Sequence, residues 1–182
     1  MAPRTPLATS TVLKRRAALQ FAAMTLAGAS LAGCGFRLRG SQVFAFQRIA
    51  IQPQPGGAVA QELRRSFGSA VQVLAAGTPL TQAQLVLTLA NEQREKIVVG
   101  VNSSGQVREL QLRMRVRLQL RSASGKEIID GDEIVQQRDI SYSESAALAK
   151  EAEEALLYRD MQSDIVQQIL RRLAAVQPGQ LD

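Results

Sequence analysis

Leu110-Gln111-Leu112-Arg113-Met114-Arg115-Val116-Arg117-Leu118-Gln119-Leu120-Arg121 alternates apolar and polar side chains without a fault. Successive side chains of a strand point to opposite faces. The stretch is therefore read as a strand with Leu110, Leu112, Met114, Val116, Leu118 and Leu120 on one face and Gln111, Arg113, Arg115, Arg117, Gln119 and Arg121 on the other. The first face needs a cover and the second is suited to water.

The flanks supply the rest of a sheet. Gln84-Leu85-Val86-Leu87-Thr88-Leu89 predicts the preceding strand, continuing through Ile97-Val98-Val99, and the polar segment 100–105 predicts the hairpin tip. Residues 122–125 turn the chain into a further strand over 127–140. Upstream, residues 47–52 alternate up to Pro53 and give the first strand. After the breaker Pro55-Gly56-Gly57, Ala60, Leu63, Phe67 and Ala70 recur at helical spacing and predict a helix over 58–70.

Downstream, Ser143 or Ser145 can cap a helix reaching about residue 176. Its apolar stripe is Leu148, Ala152, Ala155, Leu156, Ile165, Val166, Ile169 and Leu173, and Lys150 is spaced to pair with Glu154. Pro178-Gly179 ends it. The order β-α-β-β-β-α predicts an α+β two-layer sandwich: one four-stranded mixed sheet with two helices packed on one face. The other face is left bare.

On that bare face Arg113, Arg115 and Arg117, with Arg121 beyond, stand roughly 6.7 Å apart along one line. Arginine makes bidentate contacts with phosphate and carboxylate, so the row is suited to a ligand carrying several anions. The plainer reading pairs these residues with acids on the last strand, such as Glu133 or Asp139. Four like charges on one strand face repel one another, and a partner is expected to relieve that cost.

The chain has 182 residues, one cysteine and no histidine. Histidine-bearing zinc sites, Ser-His and Cys-His nucleophile systems and thiol pairs are thereby excluded, and no Gly-rich phosphate loop occurs. Asp130 and Asp132 read as a strand edge or turn, and no enzyme is expected. The single cysteine sits in Leu31-Ala32-Gly33-Cys34, after the basic Lys14-Arg15-Arg16 and the uncharged residues 17–33. That order reads as a secretory signal over residues 1–33 running into a bacterial lipobox, with Cys34 as the lipidated residue and 34–182 as a single mature domain. The segment is too short and too rich in Ala and Gly for a membrane-spanning helix.

The formal charge of +6 overstates the basicity of the mature domain, because Arg4, Lys14, Arg15 and Arg16 fall in the signal with no acid. The remaining 18 basic and 16 acidic residues leave +2, which does not argue for nucleic acid. The charge is uneven: residues 34–121 carry 12 basic and 4 acidic side chains, and residues 122–182 carry 6 and 12. The first half attracts anions.

The lipobox followed by Gly35-Phe36-Arg37-Leu38-Arg39-Gly40, the element order, Ala146-Ala147-Leu148-Ala149-Lys150-Glu151, Tyr158-Arg159-Asp160-Met161 and Leu170-Arg171-Arg172-Leu173 together resemble the LptE family of lipopolysaccharide-assembly lipoproteins. The resemblance covers the whole mature chain. It implies an outer-membrane lipoprotein on the periplasmic side, anchored by diacylglycerol and an N-acyl chain on Cys34, with no other cofactor or metal. It also implies a plug that helps assemble the LptD β-barrel and binds lipopolysaccharide on its way to the outer leaflet. Gly35 in place of an acidic residue after Cys34 fits sorting to the outer membrane. Lys150 corresponds to a lysine thought to touch the lipid. A second basic contact falls near Ser103, which is not basic, and Arg108 can serve from the same hairpin. The expected lipopolysaccharide-binding set is then Lys150, Arg108, Arg113, Arg115 and Arg117. The alternative is a purely structural outer-membrane lipoprotein that docks on a partner protein without binding lipid.

Overall fold

The computed structural model describes residues 42–181; the segment 1–33, Cys34 and the stretch 35–40 lie outside them. The described elements are β1 (Arg48–Gln52), α1 (Ala58–Phe67), β2 (Gln72–Val73), β3 (Leu85–Val101), β4 (Val107–Ser122), β5 (Glu127–Ser141) and α2 (Ala147–Ala174). Short 3-10 turns lie at Leu80–Gln82, Glu144–Ala146 and Pro178–Gln180. The sheet runs β2-β1-β3-β4-β5, with β1 parallel to both neighbours and β3, β4 and β5 antiparallel.

The α+β class and the mixed sheet match the sequence expectation, with five strands in place of four. The extra one, β2, has two residues, too few to carry a period. The alternating residues of β4 behave as read: its six apolar side chains are buried, in one core with Val59, Leu63 and Phe67 of α1 and Met161, Ile165, Ile169 and Leu173 of α2. Both helices therefore lie on that face. Among the described residues the opposite face is covered near β1, where Ala50 packs with Leu74 and Ala83. Over the arginines of β4 no helix of the described residues lies on it.

α1 stops at Phe67, short of residue 70, because Gly68 adopts φ +53 and returns its N–H to the carbonyl of Arg65 at 3.2 Å. A residue without Cβ enters this region cheaply, which ends the helix there.

The main departure from strict alternation is in β3. Ala90 opposes Arg117 and Gln93 opposes Arg115, so one extra residue is accommodated in a bulge, with Asn91 at φ +52. The bulge reverses facing: Leu85, Leu87 and Leu89 point to the helices, whereas beyond it Arg94 and Lys96 do so and Glu95 points to the uncovered face, opposite Arg113.

The bulge also presents Glu92 to the start of α1. Its carboxylate accepts the N–H groups of Ala58 and Val59, both at 3.2 Å. This satisfies two free helix donors and opposes the positive helix end. Glu92→Ala is expected to lower stability by about 1 kcal/mol. A Cβ at Gly57 would overlap the same carboxylate, so Gly57→Ala must push it off the helix. In the Glu92→Ala background the Gly57 substitution is expected to cost almost nothing. A double-mutant cycle by chemical denaturation checks this, and additive costs would reject the cap.

α2 departs from expectation in its first half. Its buried residues begin at Tyr158, while Leu148 and Leu156, assigned to the apolar stripe, are 84% and 58% exposed. The side turned to the sheet there is polar: Glu154 reaches Lys96 of β3 at 2.5 Å, and Lys150 reaches Ser141 at the end of β5 at 3.1 Å. Residues 148, 152 and 156 are consequently exposed. Neither Ser143 nor Ser145 caps the helix; the two hydroxyls bond each other at 2.9 Å, and the cap position falls to Ala146.

Candidate functional site

Arg113, Arg115 and Arg117 all occupy the uncovered face of β4, where the register of β3 and β5 surrounds them with Glu95, Gln137, Val135 and Glu133. Their partners differ from those the sequence suggested. Glu95 is the acid that meets the row: both its oxygens lie 2.5 and 2.6 Å from Arg115 Nη2, and Arg113 Nη1 lies 3.9 Å away. Arg113 also donates to Gln111 Oε1 at 3.1 Å, and Gln111 in turn donates to Asp139 at 3.0 Å. Asp139 thus meets the glutamine of the row.

Arg117 donates its Nε–H to the carbonyl of Gly131 at 3.0 Å. Gly131 has φ +60 and lies where β5 gains one residue against β4, so the Asp130-Gly131 pair is a bulge within the strand. A Cβ at this glycine would come 3.2 Å from the Arg117 guanidinium. Arg121 meets Glu127 at 3.4 Å, at the end of the row.

Arg108 and Lys150 lie apart from the row, at the far end of the β4–β5 ladder. There Tyr142 donates its N–H to the Arg108 carbonyl at 2.8 Å, and Arg108 lines a cavity of about 240 Å³ with Ser143 and Ser145. Lys150 Nζ bonds Ser141 Oγ and Glu153 Oε2, the latter at 2.8 Å. Its partner is Glu153, since Glu154 is taken by Lys96. Four residues of strand separate Arg113 from Glu109, the position paired with Ser141, which is roughly 13 Å. Arg113, Arg115 and Arg117 thus form the row, and Arg108 and Lys150 lie outside it.

Sequence reasoning missed a third cluster. Beneath the first half of α2, Arg94, Lys96, Glu151, Glu154 and Tyr158 line a cavity of about 480 Å³. The Tyr158 hydroxyl donates to the Glu95 carbonyl at 2.7 Å, and the Arg94 guanidinium stands 5.2 Å from the Tyr158 ring centre. Burial first, then the Glu154 charge, pushes the Tyr158 phenol above its ordinary range. The Glu154 hydrogen bond raises the Lys96 ammonium, and the Glu95 hydrogen bond holds the Arg115 guanidinium still more firmly charged. A signal for this arrangement existed: strict alternation from Leu85 would have placed Glu95 under the helices, where a lone carboxylate is costly.

Among the described residues no group of histidine, cysteine, aspartate or glutamate side chains could hold a metal ion, and no helix is long and apolar enough to cross a membrane. The arrangement presents cations on a broad, shallow surface.

Comparison with known proteins agrees with this architecture. The LptE family model, described as lipopolysaccharide-assembly, matches residues 46–173. An uncharacterized lipoprotein B from Nitrosomonas europaea is 33% identical, with 78% of this chain and 91% of that one covered and a TM-score of 0.66. The rare lipoprotein B from Shewanella oneidensis, 20% identical over 71% of this chain and 95% of its own with a TM-score of 0.60, shares the fold. So does a minor lipoprotein from Acinetobacter baumannii, 19% identical over 71% and 92% with a TM-score of 0.54. No curated protein matches. Spanning the sheet and most of the long helix, the family match shows that the chain belongs to the LptE family of lipopolysaccharide-assembly lipoproteins.

Proposed function

We propose that the protein is an outer-membrane lipoprotein, made with residues 1–33 as a removed signal and residues 34–182 as its single mature domain. Cys34 carries the lipid and holds the domain on the periplasmic side. There it plugs and helps assemble the LptD β-barrel and binds lipopolysaccharide in transit to the outer leaflet. The action is binding and positioning, with no catalytic step. The observation that carries the lipid part is the row Arg113, Arg115 and Arg117 on a sheet face that neither α1 nor α2 covers. Lys150 and Arg108, at the end of the ladder, supply a second basic contact for a ligand long enough to reach both.

The pairing of Arg113 and Arg115 with Glu95 favours a second reading, in which the charges are satisfied internally and the domain docks on protein alone. The two separate in one experiment on the full chain in detergent. Neutralising Arg113, Arg115 and Arg117 to glutamine is expected to weaken binding of purified lipopolysaccharide at least fivefold at low salt. The loss should shrink as salt rises, since screening already removes part of the attraction. Unchanged lipid binding with intact co-purification of LptD would establish the structural reading.

A further inference from the structure

The acid facing the arginine row has the geometry of a stand-in ligand. One carboxylate, that of Glu95, contacts Arg115 through both oxygens and comes within 3.9 Å of Arg113, so a single anion serves two guanidinium groups. It leaves donors over. Among the described residues, the buried Nε of Arg113 and the buried Nε of Arg115 have no hydrogen-bond acceptor. A carboxylate offers two oxygens, whereas a phosphate monoester offers three strong acceptors and a charge of about −1.5 to −2. Guanidinium groups pair bidentately with phosphate as they do with carboxylate, and its third oxygen can serve the second arginine.

Glu95 is also placed to leave without disturbing the fold. Its backbone is held from the helix side by the Tyr158 hydroxyl at 2.7 Å, independently of its carboxylate. Its side chain is 32% exposed, beside open solvent on the uncovered face. Rotating that side chain outward frees both arginines while β3 stays paired with β4.

We propose that Arg113 and Arg115 form a phosphate-monoester site that Glu95 occupies in the ligand-free protein, so that Glu95 acts as a built-in competitor and sets the threshold for ligand entry. This rests on the reading that the row meets lipopolysaccharide. It adds which chemical group is recognised there and which residue opposes it. An ion pair this exposed is individually weak, so the competitor tunes affinity over a modest range and does not abolish binding.

The test uses full-length protein in detergent, titrated with intact lipopolysaccharide, with phosphate-stripped lipopolysaccharide and with inorganic phosphate as competitor. Glu95→Gln keeps the shape and the backbone carbonyl but removes the charge. It is expected to tighten binding of the intact lipid about 2- to 5-fold, the upper part of the range that loss of a partly exposed ion pair allows. The phosphate-stripped lipid should bind both proteins equally. Asp160→Asn, the same charge change on an exposed position of α2, should stay within twofold of the unaltered protein. Competition by inorganic phosphate would show free phosphate to suffice; its failure, with the gain of Glu95→Gln intact, would assign the site to lipid-borne phosphate. If Glu95→Gln leaves affinity unchanged while neutralising Arg113, Arg115 and Arg117 still weakens it, the competitor role is overturned and the row stands. If neither variant alters binding, both fall.

Discussion

Replacing Leu112 by alanine is expected to lower the stability of the folded domain by about 2–5 kcal/mol. Leu112 lies in the middle of β4, is 0% exposed and belongs to the cluster that joins the sheet to both helices. Truncation removes the transfer energy of the lost methyl groups and leaves a void that a sheet paired on both sides cannot readily close. Leu148→Ala provides the contrast. Both leucines are assigned to the core by sequence pattern, yet Leu148 is 84% exposed, and its truncation is expected to change stability by no more than about 0.5 kcal/mol. Urea unfolding with an unchanged m-value measures both. Equal losses would mean that the first half of α2 is packed in solution.

Cys34→Ala, placed behind an ordinary cleaved secretory signal in exchange for residues 1–33, is expected to move the protein from the membrane pellet into the soluble envelope fraction almost completely. Two or more acyl chains hold a domain on a bilayer stably, whereas one holds it only marginally. Apart from Cys34, the chain offers no comparable anchor among the described residues, where no helix can cross a membrane. Metabolic labelling with a radioactive fatty acid should disappear with the thiol. Retention of the label in the alanine variant would refute lipidation at this cysteine. Retention in the pellet without label would mean that a partner, and not lipid, holds the protein.

The sheet and its facing were legible in the sequence wherever the backbone keeps a constant period. β4 does so over its apolar residues, and its reading settled which face the helices cover. β3 does not, because the bulge at Asn91 shifts the period by one, and the reading faltered between Leu89 and Ile97. β2 is too short to have a period. The first half of α2 misled for a different reason. Apolar residues at helical spacing define a stripe but not its direction, and the ion pair of Glu154 with Lys96 turns that stripe outward. The arginines of the row were found from spacing alone. Their partner Glu95 was not, since pairing across strands depends on register, which a single chain segment does not encode.

The bulge at Asn91 also determines what holds the outer half of the β3–β4 hairpin in place. A competing alignment lies one residue away. It would carry the Glu95 carboxylate beneath α2 and add Arg94 and Lys96 to a surface already crowded with guanidinium groups. Grease does little to exclude it, for Val98, Val99 and Val101 are about half exposed as they stand. The inner half of the hairpin is pinned by leucines and the outer half by the cost of misplaced ions. Salt should accordingly loosen the distal ribbon, and accelerate amide exchange there, well before it touches the leucine-lined base.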